Sequence, residues 1–198
     1  MDNIYMKTIK LFAVIIFGLQ IAACSGPSYV YQSSSYNVDA LRLNNANSCR
    51  VGNILNAETR DVEDPISFRG LSSFVSPVGD TYGDYITRAL KDELMLAGIY
   101  SENSPLEISG TMTKHIFDAS GTNVGVGDIA VEFVVTSAGT IVYKKTHSVH
   151  KEYVTGFNGL EASTNMQRAH TETVEELLNR FYKDPEFIRV MRTGASYQ

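Results

Sequence analysis

Four histidines, two cysteines and a few acidic groups are the residues of this 198-residue chain whose types could do chemistry. His147-Ser148-Val149-His150 has the look of a metal-ligand pair. The surrounding residues alternate as a strand, and positions three apart on a strand point to opposite sides, so a shared ion would need a bend. Asp61, Glu63 and Asp64 could attract calcium, yet the ligand spacing and turn glycine of a calcium loop are missing, and a solvated acidic loop is the simpler reading. Glu172, Glu175 and Glu176 sit near His170, with no histidine among them at metal spacing; a solvated charged face is expected. Gly121, Gly125 and Gly127 fit neither phosphate-binding fingerprint, no Lys-Ser/Thr follows, and a flexible strand connection is expected. There is no Gly-x-Ser-x-Gly, and the thiol of Cys49 has no base near it in sequence. The chain therefore reads as no enzyme, with no catalytic, cofactor-binding or metal-ligating residue.

The other thiol is different. Lys7 and Lys10 precede the apolar run Leu11 to Leu19, about half the length of a membrane-spanning helix, and small residues follow. That is the order of an export signal, with Met1 or Met6 as its start. Ile21-Ala22-Ala23-Cys24 resembles the lipobox of bacterial lipoproteins: an apolar residue, two small residues, then an obligatory Cys. The resemblance implies cleavage between Ala23 and Cys24 and acylation of Cys24, palmitate included. The plainer alternative is an ordinary signal peptide ending near a Cys. Two or three acyl chains, at about 0.8 kcal/mol per buried CH₂, anchor a protein stably. Ser25 stands where Asp would retain a lipoprotein in the inner membrane. It favours the outer membrane of a Gram-negative cell, periplasmic face, over inner-membrane anchoring.

With the signal removed, about 175 residues remain, enough for one domain and a tail. Fifteen basic residues then face 21 acidic ones, a net charge of −6, which argues against a nucleic-acid surface. Cys24 is consumed by lipid, leaving Cys49 alone; it reads as a small buried residue at a strand start, with an intermolecular disulfide as the sharper alternative.

The elements follow from pattern. Residues 1–23 are the signal. Residues 24–46, rich in Ser, Asn and Tyr, read as the lipidated N-terminus and a flexible tether reaching roughly 25 Å. Residues 47–192 form a single periplasmic domain, and 193–198 a frayed tail. Cys49 to Leu55 is a first strand, and Phe68 to Val75 a second short strand or an irregular edge. Thr81, with Asp84 three residues on, caps a helix whose apolar face is Tyr82, Tyr85, Ile86, Ala89, Leu90, Leu94 and Ala97, ended by Gly98. Leu106 to Thr113 alternates as a half-buried strand. Ile129 to Val135 and Ile141 to about His150 form a hairpin across Ser137-Ala138-Gly139-Thr140. A long helix from about Leu160 to Tyr182 carries Ala162, Met166, Ala169, Thr173, Val174, Leu177, Leu178 and Phe181 at helical spacing. Asp184-Pro185 stops it, and a last short turn of helix follows. The expected fold is α+β: a mostly antiparallel sheet of about four strands with two helices packed on one face.

From Tyr82 onward the chain resembles the YajG-type lipoproteins of Gram-negative bacteria. The resemblance is carried by the lipobox, by Glu93-Leu94-Met95-Leu96-Ala97-Gly98-Ile99-Tyr100 at a helix end, and by the strand Pro105-Leu106-Glu107-Ile108-Ser109-Gly110. The hairpin and the long helix closing on Asp184-Pro185-Glu186-Phe187-Ile188 complete it. It covers about 120 residues, mostly as an order of elements and an apolar pattern. The acidic insert Glu58–Asp64 and the long segment after Gly26 depart from it. It transfers one functional residue, Cys24, and no catalytic one.

The leading expectation is a non-catalytic lipid-anchored protein, an accessory or assembly factor of an envelope complex. The membrane, through the N-terminal lipid, and an envelope protein held on a sheet face or edge are the expected partners, with no cofactor and no nucleic acid. A lipid- or glycan-binding module associated with an envelope transporter is the second reading, to be supported by an apolar pocket between sheet and helices. A secretion or surface-appendage subunit is the third.

Overall fold

The structure, a computed structural model, describes residues 29–70 and 72–194. The signal, Ala23 and Cys24 lie outside the described residues. Helix α1 is Ser35–Leu43, followed by strands β1 (Arg50–Asn56), β2 (Ile66–Phe68) and β3 (Ser72–Phe74). Helix α2 (Tyr82–Ala97) leads into β4 (Leu106–Asp118), β5 (Val124–Ser137) and β6 (Thr140–Val154), then helices α3 (Gly159–Tyr182) and α4 (Pro185–Thr193).

The main sheet has the order β1-β4-β5-β6; β2 and β3 make a separate hairpin. The fold is α+β as expected, but the sheet is mixed. β4 runs antiparallel to β5, and β5 to β6, whereas β1 and β4 are parallel. The reason is topological: α2 lies between β1 and β4 and returns the chain to the same end of the sheet. The described residues hold four helices, not two.

α2 begins where the capping pattern places it. Thr81 accepts from the Asp84 N–H, and the Asp84 carboxylate accepts from the Thr81 N–H (2.9 Å). The next free N–H groups are also met: Tyr82 donates to Asp64 (2.7 Å) and Gly83 to Asn56 (3.2 Å). Gly98 ends the helix in the left-handed region at φ 79°. All eight apolar-face positions named for α3 are buried. α4 begins with Asp184 as cap, accepting from Glu186 (2.8 Å) and Phe187 (3.3 Å), with Pro185 in the first turn.

Three expectations change. Residues 24–46 are not a tether over the part described: α1 buries Asn37, Val38 and Leu41, and Tyr31 is buried ahead of it. The domain therefore starts well before residue 47. α4 extends through Thr193, so the polar tail is shorter than expected. Gly125 and Gly127 belong to β5, not to a loop. A Cβ on Gly127 would meet the Phe117 ring at 2.4 Å, so this position is small to seat that ring. The turn at Ala138-Gly139 has positive φ at both residues (47° and 85°), the two-residue turn whose twist suits a hairpin.

Candidate functional site

α2 and α3 lie side by side over one face of the sheet and run in the same direction, since Tyr82 at the start of α2 meets His170 midway along α3 and Glu93 lies against Tyr182 near their ends. The groove between them has two ends with different fates.

At the C-terminal end the chain closes the groove with its own segment. Glu93, 0% exposed, accepts from Tyr31 OH (2.5 Å), the Ser34 N–H (3.0 Å) and Asn37 Nδ2 (3.2 Å). Asn37 also donates to the Glu175 carbonyl (3.0 Å) and accepts from Asn179 Nδ2 (2.7 Å), tying α1 to α3. Burial raises the Glu93 carboxyl above its ordinary value, against the lowering effect of these donors. Burial first, then the Glu93 charge, drives the Tyr31 hydroxyl far up as well. The Tyr182 hydroxyl faces the same carboxyl, fully buried, near enough to help lower it but without a well-formed hydrogen bond.

At the N-terminal end the groove stays open as a cavity of about 340 Å³. Ile66, Phe74 and Val75 of the β2–β3 hairpin and its exit, Tyr82 and Tyr85 of α2, and Met166, Gln167 and His170 of α3 line it, with Tyr29 on the wall. The volume falls in the range of small-molecule sites, and the lining is mainly apolar with few polar groups, as such sites are.

His170 connects this cavity to a second buried imidazole. His115 Nε2 and His170 Nε2 are 3.1 Å apart, and His115 Nδ1 is 2.8 Å from the Glu63 carbonyl. A carbonyl accepts only, so His115 Nδ1 carries the proton, and its Nε2 accepts from His170 Nε2–H. His170 Nδ1 is then an acceptor with no partner among the described residues. Tyr82, Tyr85 and Phe117 stack around the pair, with ring centroids 4.5–5.0 Å away. Burial lowers His115 to about 4 and His170 well below its ordinary value, so both are neutral near pH 7.

Sequence reasoning missed this pair for two reasons. The residues are 55 apart. The ladder between β4 and β5 also shifts register between Met112 and Lys114, and that irregularity turns His115 and Phe117 inward after the even-numbered residues Leu106, Ile108 and Met112. The strand signal ended at Thr113, where the parity changes.

The other candidates are not brought together. His147 and His150 lie on opposite faces of β6: His147 bonds Tyr143 OH (2.7 Å), whereas His150 bonds Asp128 (3.0 Å). Asp64 leaves the acidic loop to cap α2, and Val62 bridges to His115, stitching the loop to β4. Glu172 pairs with Lys151 (2.5 Å) and Glu176 with Arg180 (2.8 Å). Cys49 is buried and its thiol is pushed up to about 12 by burial, which leaves no accessible thiol for a disulfide between chains. Among the described residues no group of three or more His, Cys, Asp or Glu could hold a metal ion, and no helix is long and apolar enough to cross a membrane. At the cavity, Ser76 Oγ donates to the Val78 carbonyl (2.5 Å), so its hydroxyl is engaged in its own turn. The arrangement can hold an apolar group, with the Gln167 amide and the His170 imidazole on the wall to meet a hydroxyl or amide on it.

No family model matches the chain, and no curated protein matches it. Among solved structures it is similar to a DUF330 protein from Xanthomonas campestris, at 13% identity and TM-score 0.49, over 68% of this chain and 83% of that one. It is also similar to a candidate lipoprotein from Caulobacter crescentus, at 14% identity and TM-score 0.44, over 74% and 89%. A third is a PelC dodecamer from Paraburkholderia phytofirmans, at 14% identity and TM-score 0.40, over 75% and 92%. The resemblance to YajG-type lipoproteins rests on the sequence motifs alone.

Proposed function

We propose that the chain is a non-catalytic lipoprotein of the YajG type, held at the periplasmic face of the outer membrane by acylated Cys24, that works by holding an apolar group in the α2–α3 cavity. The observation that carries this reading is the cavity itself. One end of the α2–α3 groove is left open, lined mainly by aromatic and aliphatic side chains, with the Gln167 amide and the His170 imidazole on its wall. Tyr29 on its wall is five residues from Cys24 in the sequence, which supports a lipid as the occupant. The occupant favoured is an acyl chain whose polar end carries a hydroxyl or amide. In the accessory-factor reading the same cavity takes an apolar side chain of an envelope protein.

A photo-crosslinking residue placed at Gln167 of the full chain, in living cells, tests the reading. Mass spectrometry showing a lipid adduct supports the acyl-binding reading, and a recurrent protein adduct replaces it with the accessory reading. No adduct at Gln167, with adducts at a surface control such as Lys144, overturns both. Anchoring is read separately: palmitate labelling and outer-membrane fractionation are expected for the natural chain and lost in Cys24→Ala.

A further inference from the structure

The α2–α3 cavity has a modified segment of its own chain within reach. Tyr29 stands on its wall, and the Tyr29 carbonyl accepts from the hydroxyl of another lining residue, Tyr85 (3.3 Å). The residues that follow Tyr29 cannot slide away. Glu93 accepts from Tyr31 OH (2.5 Å) and from the Ser34 N–H (3.0 Å), and the Tyr31 ring packs edge-on against Tyr85 with centroids 6.4 Å apart. Tyr29 is therefore a fixed point at the cavity, and Cys24 is joined to it by a link of five residues. Fully extended, that link spans at most about 18 Å, more than the width of a compact cavity of about 340 Å³.

A diffusing lipid or a partner's side chain has to arrive from elsewhere, whereas a group on a short flexible link is present at an effective concentration on the order of millimolar. The linked group here is the acyl modification that the lipobox implies at Cys24. An acyl chain matches the lining, where Ile66, Phe74, Val75 and Met166 supply aliphatic and aromatic wall. Charge selects in the same direction: among the described residues no Lys, Arg, Asp or Glu lines the cavity, so a charged headgroup would find no partner in it. The volume lies at the lower end of the range for small-molecule sites, which suits one chain and not two or three. We infer that one acyl chain of Cys24 lies in the α2–α3 cavity of its own domain, with the remaining chain or chains in the bilayer. The inference rests on the proposed acyl-binding function and names its occupant. A CH₂ group gains about as much from an apolar cavity as from a bilayer, so the chain divides between the two. Withdrawing it leaves an anchor between the marginal hold of a single chain and the stable hold of several.

A photo-crosslinking residue at Gln167 tests this when the mass of the captured group is read. The acylated full chain is purified with that residue and reconstituted into vesicles of phosphatidylethanolamine and phosphatidylglycerol, as an equal mixture of isotope-light and isotope-heavy copies. On irradiation the Gln167 peptide is expected to gain the mass of the acylated Cys24 peptide, light joined to light and heavy to heavy, in excess of any phospholipid adduct. Light-to-heavy products in equal amount mean that the acyl chain of a second copy enters, which overturns the inference. An adduct to phospholipid alone also overturns it and leaves the acyl-binding function standing. No lipid adduct of either kind, with the surface control at Lys144 still reactive, overturns both. A chain without an acyl group on Cys24 that still captures phospholipid overturns the inference and the anchor, but not the function of the cavity. Should the residue at Gln167 prevent folding or fill the cavity, the same residue at Val75, exposed at the rim, repeats the test.

Discussion

Glu93 at one end of the α2–α3 groove meets Tyr31, Ser34 and Asn37, all supplied by the segment that leads into and forms α1. His170 at the other end meets one partner, His115, and on its remaining side a cavity. Both ends bury an ionisable group between the same two helices, in the same core. They differ in what the chain lays over them. Where α1 lies on the groove, buried polar groups are matched and the segment becomes part of the domain. Where it does not, the lining is left apolar and accessible. The first arrangement is what a fold needs to pin a segment down, since a buried acid without donors is costly. The second does not serve stability, because an unfilled cavity forfeits packing, and it is the natural place for a ligand.

The sharpest way to break this contrast is at the closed end. Glu93→Ala leaves the Tyr31 hydroxyl, the Ser34 N–H and one Asn37 hydrogen without their acceptor. At about 1–3 kcal/mol for each buried group left unmatched, a loss of about 3–5 kcal/mol is expected in urea unfolding. Proteolysis between Tyr29 and Ala46 should accelerate with it, since α1 loses its tie to α2. A loss below about 1 kcal/mol would mean that apolar contacts of Val38 and Leu41, not the acid, hold α1 in place.

The two ends also answer pH with opposite sign. His115 falls from an ordinary value of 6.5 to about 4, so the folded chain holds fewer protons between those values and its stability is lost as pH falls through that window. A shift of that size corresponds to about 3 kcal/mol. Glu93 is raised, so its folded form keeps a proton that the unfolded chain has given up. Stability from Glu93 is present below the ordinary carboxyl value and lost as pH rises through the folded one. Unfolding midpoints measured from pH 7 down to 4 should fall in the natural chain. They should fall less in the double variant His115→Leu/His170→Leu, which removes both imidazoles together, although it leaves the Glu63 carbonyl without its donor at every pH. They should fall more in Glu93→Gln, where the opposing contribution is gone. A single His170→Leu strands His115 Nε2 and is expected to cost about 1–3 kcal/mol at pH 7. Equal pH profiles for all four proteins would remove the histidine pair as the acid-sensitive element.

How far the sequence reveals these two ends follows from how local each signal is. α2 and α3 are legible because caps and apolar period lie within the helices themselves, from Thr81 and Asp84 to Gly98 and from Ala162 to Phe181. The β5–β6 hairpin is legible because its turn and alternation are contiguous. α1 is not, because only Val38 and Leu41 mark an apolar face in its nine residues, and its anchoring acid lies 56 residues beyond Asn37. The cavity is not, because its walls come from the hairpin, two helices and Tyr29, and because a register shift in β4 places His115 inside where simple alternation ends. The parallel pairing of β1 with β4 is likewise a property of the crossover through α2 rather than of either strand.

The smallest effect tests the claim that the closed end is matched. Tyr182 OH is the exception there: 0% exposed, facing the Glu93 carboxyl, and without a well-formed hydrogen bond. A buried hydroxyl without a well-formed hydrogen bond has left water with little compensation, so removing it restores part of what its burial lost. The ring itself packs against Phe181 and Phe187 and is kept in Tyr182→Phe. Tyr182→Phe is therefore expected to change stability by less than about 0.5 kcal/mol or to raise it by up to about 1 kcal/mol, read as a shift in urea midpoint at constant slope. Tyr31→Phe, one hydroxyl away on the same acid, should instead cost about 1–2 kcal/mol, because its donor is used. If the two variants lose stability equally, Tyr182 shares in holding Glu93, and the closed end is a network of four donors rather than three. If Tyr182→Phe alone is neutral, the work of closing the groove belongs to the segment that begins at Tyr29, and the contrast with the open end stands on that segment.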